Sequence, residues 1–225
     1  MTRKLGTITL GQAPRPDLTP MLEAALPADL PRLHVGVVDG MDKAAIAERF
    51  PVREGEPVLI SRLLDGTSVV MDKAGVEAAV QGKVEELEAA GCTTILLWCT
   101  GKFAELEARR AALIEPQKIL MPCLAALTQG RRVGILVPLP EQIQAEQSKW
   151  ANFSAAPICA AVSPYQESDD AVAAAARDLR GRGAEILMTD CMGFVEHHRR
   201  AATAASGLPL ILSSALIAKL VAEVV

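Results

Sequence analysis

GCTTILLWCTGKF, residues 91–103, decides the reading of this chain, because its pattern returns as GAEILMTDCMGF at residues 183–194. In each copy a glycine closes a helical stretch and a short apolar run follows. A cysteine stands eight residues after that glycine, and another glycine comes two residues later. A short apolar run bounded by glycine reads as a strand buried in a parallel sheet. Cys99 and Cys191 therefore end matched strands 92 residues apart, and they are expected to face each other across one site.

Working outward, Leu5 to Leu10 reads as a first strand running into Gly11-Gln12-Ala13-Pro14-Arg15-Pro16-Asp17, a loop that two prolines keep out of a helix. Thr19 is expected to cap the next helix, with Pro20 at its first position. His34 to Val38 follows as a strand and Lys43 to Arg49 as a short helix. Asp65-Gly66 marks a hairpin between Val58–Arg62 and Ser68–Met71. Val76, Val80, Val84 and Leu87 mark one helical face. Helices are expected over Phe103–Arg110 and over Pro116–Leu127, the latter broken near Pro122. The second half echoes the first. Arg132–Val137 enters the proline loop Pro138-Leu139-Pro140, Glu141–Trp150 reads as a helix, and Pro157–Val162 leaves through Ser163-Pro164-Tyr165. Val172, Ala176 and Leu179 mark a helical face, and Glu196–Ala205 reads as a helix after the second cysteine. Leu208–Leu212 reads as a last strand, and Ser213 or Ser214 caps a terminal helix striped by Leu216, Leu220 and Val224.

The order of elements predicts an α/β protein of two pseudo-symmetric domains, each an open parallel sheet of flavodoxin-like type, with the site in the cleft between them. Residues 1–115 plus 208–225 are assigned to the first domain and 116–207 to the second. Half of the 225 residues are hydrophobic but only 3% are aromatic, which suits Ala-rich helices on aliphatic strands. Net charge is −4 without a basic block, arguing against nucleic acid. The apolar runs are too short for a membrane span or a signal peptide. Five cysteines without CxxC spacing are expected to be reduced thiols of a cytoplasmic protein. A homodimer is the default expectation for an oligomer.

A thiol between a strand end and a helix start sits among free backbone N–H groups, which favour its thiolate and also hold a carboxylate. Cys99 with Thr100 and Gly101 has that setting, and so does Cys191 with Met192 and Gly193. Around them, Gly11 and Gln12 offer backbone and amide donors, and Arg15 offers a carboxylate clamp. Pro14 and Pro138 shape the two loops, and Ser163 and Tyr165 line the same mouth from the second half. Asp190 either repels a thiolate or takes part in proton traffic. Cys92, Cys123 and Cys159 read as packing cysteines. HHRR at 197–200 reads as a solvated surface, and no metal is expected.

These residues also carry a resemblance. TITLGQAPRPD, VEELEAAGCTTILLWCTG, ARRAALIEPQKILMPCLAAL, RRVGILVPLPEQIQAEQSKW, AEILMTDCMGFVEHHR and LPLILSSALIAKLVAE make the chain similar to the AroM family nearly end to end. Through its two strand-Cys-Gly units it further resembles the aspartate/glutamate racemase superfamily. That resemblance implies cofactor-independent enzymes, a C-terminal helix returning to the first domain, and a pair of thiols that removes and returns a proton beside a carboxylate. Cys99 and Cys191 would be the pair and Thr100 a carboxylate contact. The chain departs from the racemases where Thr100 replaces Asn and where Met192-Gly193 replaces Thr-His, so the acid-assisting histidine has no direct equivalent. The expected ligand is a small carboxylic acid, with keto, hydroxy and dicarboxylic acids on equal footing with amino acids. Two other readings stay open: one thiol acting as a nucleophile in an isomerase or decarboxylase, and a non-catalytic sensor or carrier of a carboxylate.

Overall fold

The computed structural model describes residues 3–103, 106–150, 156–165 and 168–225, in two compact units, Met1–Pro116 with Ile217–Val225, and Gln117–Leu216. In the first unit the order is β1 (Leu5–Thr9), α1 (Thr19–Glu23), β2 (Arg32–Gly36), α2 (Lys43–Arg49), β3 (Val58–Arg62), β4 (Ser68–Asp72), α3 (Lys73–Ala89), β5 (Thr94–Leu97) and β6 (Ala112–Ile114). Four strands pair in parallel in the order β2-β1-β5-β6. Every residue of β1 and β5 is buried, including Thr7, Thr9 and Thr94 among the aliphatic side chains. β3 and β4 form the antiparallel hairpin set by Asp65-Gly66. Helix α3 starts where the Asp72 carboxylate accepts the Gly75 N–H at 2.6 Å, and it buries Val76, Val80, Val84 and Leu87 completely.

The second unit continues with α4 (Pro116–Thr128), β7 (Val133–Val137), a 3-10 turn (Pro140–Gln142), α5 (Ile143–Lys149), β8 (Ile158–Ala161), α6 (Asp169–Gly181), β9 (Ile186–Thr189), α7 (Glu196–Ser206), β10 (Leu210–Ile211) and the start of α8 (Ser213–Ala222), whose residues from Ile217 group with the first unit. Its sheet runs β10-β9-β7-β8, again all parallel. In both sheets the first strand of the unit lies between the second and the third, with the fourth beyond the third. The sequence repeat is thus a repeat of topology. Gly91 and Gly183, which open the two copies, both hold the left-handed conformation, at φ +82° and +95°. Among the described residues no helix is long and apolar enough to cross a membrane.

Several expectations are corrected. Leu18, not Thr19, is the N-cap of α1; the Arg15 carbonyl accepts the N–H groups of Leu18 and Thr19 and so closes the helix start. Helix α4 runs through Pro122 without a break, since the ring removes a single N–H from a helix of 13 residues. Residues 208–216 group with the second unit, because β10 pairs with β9 at Leu210↔Leu187 and Ile211↔Met188. Ser213 and Ser214 do not cap α8. Their hydroxyls donate inward to the carbonyls of Thr189 and Phe194, which fixes the phase of the helix. Ile217, Ala218 and Val221 are therefore its buried face, and Val224 is 62% exposed.

The expected helix over 103–110 is also absent from its described part (residues 104 and 105 lie outside it), and β6 follows instead. The Glu88 carboxylate accepts three successive N–H groups, from Ala111 at 2.8 Å, Arg110 at 2.6 Å and Arg109 at 3.1 Å. These bonds, Ala111 foremost, hold its carboxyl below the ordinary value of 4.5. A depressed carboxyl contributes stability above the unfolded-state pKa and loses it as pH falls through the folded one. Glu88→Gln is accordingly expected to lower Tm at neutral pH, with the gap to wild type closing as pH falls below the ordinary carboxyl value and the native carboxyl protonates. Thermal melts across pH check this; a gap of constant size would show that the charge of Glu88 is not what matters.

Candidate functional site

The two cysteines are set in the same local structure, built twice. Strand β5 is prolonged by the Trp98 N–H donating to the Ile8 carbonyl of β1 at 2.7 Å. At the same place in the second unit, the Asp190 N–H donates to Leu136 of β7 at 2.9 Å. One residue later comes the cysteine, partly exposed in both cases. The chain then turns back so that the glycine two residues on points its N–H at the sulfur: Gly101 to Cys99 Sγ at 3.3 Å, Gly193 to Cys191 Sγ at 3.3 Å. An N–H aimed at sulfur favours negative charge there. Neither thiol sits at a helix start, as the sequence suggested. Helix α7 begins only at Glu196, and Thr100 to Phe103 are not helical. The glycine N–H takes the role expected of a helix end.

In the second unit the structure brings Tyr165, Cys191 and Gly193 together. The Tyr165 hydroxyl lies 3.5 Å from Cys191 Sγ, and the Tyr165 N–H donates to the Ser163 hydroxyl at 3.2 Å. Met192 is 2% exposed, its side chain packed in the core, and Pro138 is buried just after β7. Asp190, next to Cys191 in the chain, is only 4% exposed. Its buried carboxylate takes Lys149 Nζ at 2.6 Å and Trp150 Nε1–H at 3.0 Å, tying the end of α5 to the thiol turn.

In the first unit the register Ile8↔Leu97 places the exits of β1 and β5 side by side, so the 11–17 loop and the Cys99 turn share one sheet edge. Thr100 is buried there and Gly101 half-buried. The other loop residues are occupied differently from expectation. The Gln12 amide donates to Met41 O at 2.9 Å and accepts from Leu64 N–H at 2.9 Å, bracing the hairpin. Gly11 packs so tightly on Arg62 that a Cβ would meet its carbonyl. Pro14 is exposed. Arg15 is buried, with its fork on the chain's own Asp17: Nε to Oδ1 at 2.8 Å and Nη2 to Oδ2 at 2.6 Å. Arg15, Thr7, Thr9, His34 and Trp98 line a cavity of about 20 Å³. That is room for about one water molecule and far below the roughly 300 Å³ at which ligand pockets begin. Burial lowers the His34 pKa from its ordinary 6.5; Glu23 opposes the shift and Arg32 adds to it.

The remaining candidates fall outside the thiol turns. Cys92 and Cys159 are buried; burial pushes the Cys92 thiol up, with Lys4 opposing. His198 is 3% exposed rather than solvated. Asp169, His197 and His198 bring ligand atoms within 4.8 Å of one another, but hydrogen bonds account for the cluster. His197 Nδ1 meets Asp169 Oδ1 at 2.7 Å, and His198 Nδ1 accepts the Val195 N–H at 3.0 Å. An accepting Nδ1 leaves the ring proton on Nε2, where it blocks a metal. Sequence reasoning missed Asp17 and Lys149. The spacing Arg-x-Asp was a usable signal for the first. The second had none, since Lys149 lies 41 residues from Asp190.

The family model described as AroM protein matches residues 5–225. No curated protein matches the sequence. Among solved structures, glutamate racemase from Aquifex pyrophilus superposes with a TM-score of 0.61 at 12% identity, covering 99% of this chain and 84% of that one. Maleate isomerase Iso from Pseudomonas putida S16 gives 0.59 at 10% identity, covering 99% and 91%. An arylmalonate decarboxylase gives 0.55 at 14% identity, covering 96% and 88%. At such identities the likeness is one of fold, an α/β architecture with two parallel four-stranded sheets.

Proposed function

The chain belongs to the AroM family, and on that footing we propose that it is a cofactor-independent enzyme moving a proton at the carbon beside a carboxylate, with Cys99 and Cys191 as acid and base. The observation that carries this reading is the doubled thiol turn, in which two separate segments each present a partly exposed sulfur to a glycine N–H at 3.3 Å. Two packing cysteines have no reason to share that construction. The names of the solved relatives, a glutamate racemase, a maleate isomerase and an arylmalonate decarboxylase, all point to small carboxylic acids.

In the proposed step one thiolate takes the α-proton and becomes a thiol, and the C–H electron pair spreads into the carboxylate. The other thiol gives its proton to the opposite face and becomes the thiolate. Thr100 and the backbone of the two thiol turns hold the carboxylate as its charge grows. Arg15, already committed to Asp17, braces the loop rather than clamping substrate. Because Met192-Gly193 follows Cys191 with no histidine, the substrate class extends beyond amino acids to hydroxy and dicarboxylic acids.

The test is deuterium uptake in heavy water, read at the α-carbon by NMR over a panel of amino, hydroxy and dicarboxylic acids. Uptake into at least one acid is expected, and that acid names the substrate class. No uptake, together with thermal stabilisation by one of the acids, would replace the enzyme with a carboxylate-binding protein.

A further inference from the structure

The chain has one tyrosine, and it stands at the sulfur of one of the two cysteines. Tyr165 does not reach Cys191 by chance of a long side chain. It follows Pro164, its N–H is held by the buried Ser163, and its ring and hydroxyl lie where a Cβ on Gly193 would be, well under 3.0 Å away. Gly193 thus serves twice: its N–H reaches the sulfur, and its missing side chain lets the phenol reach the same sulfur. Nearby in the chain, Asp190 holds Lys149 and His198 accepts the Val195 N–H.

Resting on the two-thiol reading, we infer that Tyr165 is the hydrogen-bond donor that holds Cys191 as the resting thiolate. A thiolate sulfur can only accept, and a phenol is a far better donor than S–H. Two donors converging on one sulfur favour its charged form. Tyr165 keeps its proton throughout; it donates to the sulfur while Cys191 is a thiolate and relaxes when Cys191 has taken the substrate proton. Cys191 is then the thiol that removes the first proton, and Cys99 the one that delivers.

Iodoacetamide, a small neutral alkylating agent that reacts with thiolates, tests this without any substrate. In wild type and Tyr165→Phe at neutral pH, peptide mass mapping follows Cys191 with Cys99 of the same molecule as the internal standard. The ratio of Cys191 to Cys99 alkylation is expected to fall about tenfold in Tyr165→Phe, the scale of one lost hydrogen bond to a charged group. An unchanged ratio, or a faster Cys191, means that the phenol packs on the sulfur or shields it, and overturns the inference. Should the variant misfold, betrayed by labelling of Cys92 and Cys159, the wild type answers instead. The signal of ¹³C-labelled tyrosine, single in this chain, is expected to follow Cys191 ionisation and to lose that response in Cys191→Ser. A flat tyrosine signal across the thiol titration would equally refute it. Because alkylation needs no turnover, a failure here is separate from a failure of the proposed reaction.

Discussion

Replacing Cys99 or Cys191 with alanine is expected to lower turnover of the acid substrate by about 10²- to 10⁴-fold, the range for loss of a positioned acid or base. KM should change little, since the sulfur acts on the α-proton and the backbone of the thiol turns holds the carboxylate; an effect confined to the chemical step appears in kcat. The two substitutions are expected to be of similar size, because each thiol is required once in every passage from one face to the other. They should also be far from additive, as removal of either partner already stops the relay. Steady-state kinetics on the acid found by solvent exchange, with circular dichroism to confirm folding, supplies the numbers. Wild-type kcat in either variant would remove that cysteine from the mechanism.

The largest effect on stability is expected at Lys149. Its ammonium lies 2.6 Å from Asp190, whose side chain is 1% exposed, and Lys149 itself is only 11% exposed. Removing one partner of such a pair leaves a charge in a medium that solvates it poorly, at a cost of roughly 3–5 kcal/mol. Lys149→Ala should therefore shift the urea midpoint down strongly at constant m-value. The double variant Lys149→Met with Asp190→Leu should recover much of the loss, because it removes the stranded carboxylate along with its cation. A single-variant loss under about 1 kcal/mol would assign the pair to the weak class of surface ion pairs. Asp190 is the residue before Cys191, so the same variant also loosens the second thiol turn.

The parts of the structure legible in the sequence are those governed by neighbours in the chain. Gly91 and Gly183 announce the turn before each thiol strand because a left-handed residue is so seldom anything but glycine. The periodicity of Val76, Val80, Val84 and Leu87 marks a buried helical face whatever lies beneath it. Asp65-Gly66 sets its hairpin within a few residues. What escaped depends on partners far apart. Arg109 and Arg110 lose a helical reading to the carboxylate of Glu88, about twenty residues upstream. The face of α8 is phased by carbonyls of the Cys191 region, 20 and 24 residues away. Arg15 reads as a clamp for a foreign carboxylate until Asp17 is seen in its fork. Tyr165 was read from the sequence as a lining residue, but its sulfur partner lies 26 residues on, and only the fold reveals which atom it touches.

The most direct measurement of the central claim is the rate of α-deuteration in heavy water for wild type, Cys99→Ala and Cys191→Ala, followed by NMR on the acid that wild type accepts. The two-thiol account predicts rapid uptake in wild type. In each variant, proton transfer on the face served by the missing sulfur should fall by at least about 100-fold. Uptake at the wild-type rate on both faces in both variants would contradict it, and would leave the doubled thiol turn without a chemical purpose.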